Sequence, residues 1–153
     1  MANLFPVGYK NEVVVGSIKR NITGYRESIS YDDELGDCVI DSKGRIATAS
    51  GVEAWRQWCL NCIDTDRYKH KLYTSDFGID YELIRQGYDS GGQAMAESII
   101  QKEVTDALMA DDYQRTESVS DFSFEWKADS VHFSCTVRGI SKAEIDITAS
   151  LSI

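Results

Sequence analysis

The clearest pattern lies in the last third of the chain. Phe122, Phe124 and Trp126 alternate with Ser123 and Glu125. Val131, Phe133, Cys135 and Val137 alternate with His132, Ser134 and Thr136. Ile145, Ile147, Ala149, Leu151 and Ile153 alternate with Asp146, Thr148, Ser150 and Ser152. Successive side chains on a strand point to opposite faces, so each run predicts a strand with one apolar and one polar face. Ala128-Asp129-Ser130 and Gly139 to Lys142 are short turns between the runs. Together they predict an antiparallel meander with one buried face.

The middle of the chain carries helical spacing. Ser50-Gly51-Val52-Glu53 reads as a capping box, followed by an apolar face of Val52, Trp55, Cys59, Cys62 and Ile63, widened by Trp58. An extended aromatic stretch, Tyr68 to Tyr73, a turn at Phe77-Gly78 and a short helix from Asp80 to Arg85 come next. Ser90-Gly91-Gly92-Gln93 reads as a second capping box. The helix behind it should reach about Ala110, with Ala96, Ile100, Val104, Ala107 and Leu108 inward and Glu97, Lys102, Glu103 and Asp106 mainly toward water.

Ahead of the first helix, Cys38-Val39-Ile40 and Arg45 to Thr48 flank the turn Asp41-Ser42-Lys43-Gly44, a hairpin signal. Before Gly36 no period is sustained. Val13-Val14-Val15 is a lone β-prone run, and Asp32-Asp33-Glu34 an acidic knot. The expected organisation is an N-terminal extension over 1–35 and one domain over 36–153. The expected class is α+β: a meander packed against two main helices, with an N-terminal hairpin and an extended arm.

Composition narrows the chemistry. The 153 residues carry 16 basic and 25 acidic side chains, a formal charge of −9. That balance argues against a surface built mainly to hold nucleic-acid phosphates. No apolar run approaches the ~18 residues of a membrane span. The first residues lack a secretory pattern, so synthesis in the cytoplasm is expected, with free thiols.

Candidate sites are sparse. Cys59 and Cys62 have the spacing of half a zinc site, with no second pair to complete it. Both lie on the apolar helix face, so buried thiols, a metal site and redox chemistry all compete. His132 falls on a polar strand face, and His70 in Lys69-His70-Lys71. Asp76, Asp80 and Glu82 could be imagined as a glycosidase pair, although acids are so numerous that chance supplies such pairs. The last strand raises an interaction reading. It has Glu144 and Asp146 early and is nearly uncharged from Ile147 to Ile153. If it forms a sheet edge, it is either protected by the N-terminal arm or open to strand addition by a partner.

Several segments in order resemble the XkdS-like family of phage tail proteins. These belong to the short baseplate wedge proteins of contractile tails, once labelled lysozyme-like. The segments are Cys38 to Thr48, Glu53-Ala-Trp-Arg-Gln-Trp, Thr65-Asp-Arg-Tyr with Tyr73 and Asp76-Phe-Gly, Thr105-Asp-Ala-Leu, Val119-Ser-Asp-Phe-Ser-Phe and Asp129-Ser-Val. The resemblance spans roughly 36–153. It implies a structural, non-enzymatic component of an assembled tail baseplate, in a phage, a tail-like bacteriocin or a related injection system. That component links wedge proteins to the first sheath ring and templates sheath assembly. Implied partners are the tail sheath protein and other wedge proteins, with inner tube or hub proteins as further candidates. No cofactor, metal, nucleic acid or membrane is implied. The old label leaves a peptidoglycan hydrolase as the alternative.

The family's Thr and Arg correspond to Thr65 and Arg67, read as fold or docking positions. The wider family often docks on the wedge bundle through Glu-Pro-Arg, where this chain has Asp112-Tyr113-Gln114-Arg115 without the proline. Arg115 keeps a guanidinium suited to partly buried pairing. The expected partner-binding set is therefore Arg67, Arg115, Ile145, Ile147, Ala149 and Leu151.

Overall fold

The computed structural model describes residues 24–32 and 34–153. The Val13–Val15 run and Asp33 of the acidic knot lie outside the described residues. The order of elements is β1 (Glu27–Ile29), β2 (Tyr31–Asp32), β3 (Asp37–Cys38), β4 (Thr48–Ser50), α1 (Gly51–Asp64), α2 (Tyr81–Met109), β5 (Thr116–Trp126), β6 (Ser130–Gly139) and β7 (Glu144–Ser152). The fold is α+β.

The period-two runs form the expected meander, in the order β5-β6-β7 with antiparallel pairing. Val131, Phe133, Cys135 and Val137 of β6 and Ile147 and Leu151 of β7 face a core closed by the two helices. From α1 come Trp55, Cys59, Cys62 and Ile63, and from α2 Ile84, Ile100, Val104, Ala107 and Leu108. β5 is less regular than its alternation suggests. Its register with β6 shifts between Ser120 and Ser123, where Asp121 takes φ 54°. That bulge re-aims Phe122, Phe124 and Trp126, which are only half-buried. Trp126 stacks on Tyr88 at 5.4 Å, and its indole N–H donates to Glu97 at 2.7 Å.

Three local expectations are corrected. Ser50 precedes α1, but its side chain makes no capping bond. Gly51 at φ 64° turns the chain left-handed there and carries the hydroxyl away from the first-turn amides. Ser90 does not cap the second helix: its hydroxyl donates back to the Gln86 carbonyl at 2.9 Å. The first helical stretch runs on past Arg85, and the expected second helix begins only beyond a kink within α2. The break comes at Gly92 (φ 68°, ψ −159°), a conformation open to glycine almost alone. Glu103, expected toward water, is 4% exposed, because a cationic partner reaches it from a loop distant in sequence.

The turn Asp41–Gly44 closes as expected, with Ile40 bridged to Ile46. The regular ladders there are different ones: β1 pairs with β4, and β2 with β3. The strands of β1 and β2 come from residues that show no period, because runs of two or three residues are fixed by their partners. Tyr25 stacks on Trp55 at 5.0 Å and is buried. A Cβ at Gly139 would collide with Tyr25 and Trp55, so glycine leaves room for this pair. Among the described residues, no helix is long and apolar enough to cross a membrane.

Candidate functional site

β7 bonds to β6 along one side, and among the described residues no strand pairs with its other side. Its parity is fixed at both ends. Gly139 N–H donates to the Ala143 carbonyl at 2.8 Å, and Ile153 N–H to the Asp129 carbonyl at 3.1 Å. Hydrogen-bonded pairs in an antiparallel ladder recur at every second residue. The register thus directs the amides and carbonyls of Ile145, Ile147, Ala149 and Leu151 to β6. Those of Asp146, Thr148 and Ser150 point outward. The side chains of Ile147 and Leu151 are buried, while Ile145 and Ala149 are half-buried. The four expected positions therefore build the strand, and the even-numbered residues offer its free ladder. The turn geometry that sets this parity has no counterpart in the alternation of side chains.

A groove of about 740 Å³ runs beside this edge. Its lining includes Asp146, Thr148 and Ala149 of β7, Leu60, Asn61 and Ile63 of α1, and Tyr31 and Tyr73. Gln57 of α1 donates to the Tyr31 carbonyl and so fixes β2 on the helix. An exposed edge with adjoining space and some apolar lining is the arrangement that strand addition uses.

Arg67 and Thr65 hold the loop between the helices. Arg67 pairs with Glu103 at 3.1 Å, with only 13% and 5% of the two side chains exposed, and its Nε donates to the Gly78 carbonyl at 3.0 Å. Ile79 N–H donates to the Thr65 carbonyl and Arg67 N–H to the Ile79 carbonyl, both at 2.9 Å. Gly78 sits at φ 95°, and a Cβ there would lie 2.5 Å from the Thr65 oxygen. Thr65, Arg67 and Phe77-Gly78 are thus one clasp, held by backbone bonds and the Arg67 guanidinium. Glu103 completes it and was not legible in the sequence.

Arg115 is also committed inside the chain. Its Nε and Nη2 bond both oxygens of Asp111 at 2.7 and 3.2 Å, and it lies 5.0 Å over the Trp58 ring and 5.3 Å from that of Tyr113. At 5% exposure it braces the turn into β5. Docking through its guanidinium would require breaking this fork.

Cys59 and Cys62 are fully buried. Burial pushes the Cys62 thiol up to about 11 and Cys135 to about 12, and raises Cys59 as well. Among the described residues, no cluster of three or more Cys, His, Asp or Glu side chains has the geometry to hold a metal. His70 is exposed and His132 half-buried. Asp80 caps α2 by accepting from Leu83 N–H at 3.0 Å, and Glu82 pairs along the exposed helix with Arg85 and Gln86.

The family model of the contractile injection system sheath initiator matches residues 27–142. Phage-like element PBSX protein XkdS of Bacillus subtilis (strain 168) is 29% identical over 96 residues, covering 61% of this chain and 66% of that relative. The family match takes in the clasp, both helices, β5 and β6, and ends just before β7. The chain belongs to the contractile injection system sheath initiator family.

Proposed function

We propose that this protein is a structural, non-enzymatic part of the baseplate of a contractile tail, and that its β7 edge receives a strand from the first ring of sheath subunits. The observation that carries the reading is the outward ladder of Asp146, Thr148 and Ser150 beside an open groove. Strand addition supplies affinity through main-chain bonds, and the groove beside the edge supplies side-chain selectivity. An open edge is otherwise a hazard for aggregation. The charged side chains of Glu144 and Asp146 guard its first part and leave Thr148 to Ser152 uncharged. Wedge proteins are the second proposed partner. Arg67 and Arg115 serve that contact indirectly, by holding the surfaces of their loops in shape.

The test is the double variant Thr148→Pro/Ser150→Pro. It removes two outward N–H groups and no bond to β6. We expect a folded protein that joins baseplates yet leaves them without sheath. Sheathed, contractile particles of normal length from this variant would refute strand addition at β7.

A further inference from the structure

Tyr68 to Tyr73, the tip of the loop between α1 and α2, holds apolar side chains in water. Leu72 is 98% exposed and Tyr68 69% exposed. Lys69, His70 and Lys71 between them are exposed, and no acid occurs from residue 67 to 75. This basic tract stands in a chain of formal charge −9. The tip is nevertheless tied down. The Thr65–Arg67–Gly78 clasp closes its base. Tyr73 stacks on Phe77 at 4.5 Å, and Phe77 meets the edge of Trp58 at 6.0 Å. Tyr68 takes φ 70°, a left-handed conformation that a bulky residue holds only when its surroundings impose it.

A loop fixed at its base with an aliphatic side chain at its tip has already met most of the ordering cost of binding. An aliphatic anchor seated in a pocket with a polar rim is one arrangement that binding interfaces use. We propose that this tip is a docking finger. Leu72 enters an apolar socket on a neighbouring subunit of the tail particle, and Lys69 and Lys71 meet carboxylates around the socket. The inference rests on the tail reading above but does not use the β7 edge. An extended polyanion fits the tip less well, because Asp64, Asp66, Asp76 and Asp80 lie at the loop's base and would repel it.

The test is zero-length carbodiimide cross-linking of purified tails, which joins lysine amines to carboxylates in direct contact. We expect Lys69 or Lys71 to be joined to an Asp or Glu of a different tail protein. Leu72→Ser and Lys69→Glu/Lys71→Glu, whose side chains are exposed, should melt like the wild type. Each should lower the chain's retention on tails by about tenfold, the loss of roughly one anchor contact. Wild-type tails in which neither lysine is joined to another protein would overturn the inference, as would full retention of Leu72→Ser. Salt-sensitive binding of duplex DNA or anionic vesicles that the double charge variant abolishes would assign the tip to phosphates and overturn it too. A wild-type chain absent from purified tails would sink the tail reading along with it, whereas the other outcomes leave that reading standing.

Discussion

At the scale of single residues, one buried arginine, one half-buried arginine and one glycine organise the surfaces around them. Removing one partner of a buried ion pair strands the other charge, so Glu103→Ala should cost about 3–5 kcal/mol in chemical denaturation. The double variant Arg67→Met/Glu103→Leu should lose less than the sum of the two single changes, because no charge is left unpaired. Gly78 and Gly44 both have φ above zero, but a Cβ at Gly44 meets open space. Gly44→Ala should therefore cost only ~1 kcal/mol of left-handed strain, and Gly78→Ala about 2–4 kcal/mol through added collision with Thr65. Thermal melts of the two variants make the comparison. The thiols give a pH signature. Cys62 rises from 9.0 to about 11 on folding because burial disfavours the thiolate. A group whose folded value is raised stabilises the fold at low pH, so stability should decline as pH climbs from 9 toward 11. A thiol reagent at pH 8 should modify half-buried Cys38 in the native protein and reach Cys59, Cys62 and Cys135 only after unfolding.

At the scale of elements, the parity of β7 makes a sharp contrast between adjacent residues. Ala149→Pro removes a ladder bond to Phe133 and should destabilise by about 1–3 kcal/mol or more. Ser150→Pro removes an N–H that faces outward and should stay within ~1 kcal/mol of the wild type, as edge prolines do. Urea midpoints of the two variants test the register itself. The meander was legible because period-two alternation survives along β6 and β7 and from Phe122 to Trp126 of β5. The helices were legible from their apolar faces, but their ends were not. Gly51 and Gly92 decide those ends by backbone conformation, which the cap motifs at Ser50 and Ser90 do not reveal. β1 and β2 were illegible because two- and three-residue strands carry no period. The clasp was half legible: Thr65, Arg67 and Phe77-Gly78 lie within one loop of the sequence, whereas Glu103 enters from α2.

At the scale of the whole molecule, the helices and the sheet spend their apolar faces on one core, and the two surfaces proposed for partners lie outside it. One is the β7 edge with its groove. The other is the basic tip above the clasp, on a chain that is otherwise strongly acidic. The two adjoin: Tyr73 lines the groove beside Thr148, and Lys69 and His70 line a pocket with Ser150 and Ser152, so a partner at one surface lies next to a partner at the other. A density map of the assembled tail, read along Thr148 and Ser150, decides whether the β7 edge takes a sheath strand. We expect a strand from a sheath subunit hydrogen-bonded to those two residues. A map in which residues of this same chain already fill that position, with sheath subunits in contact elsewhere, would contradict it.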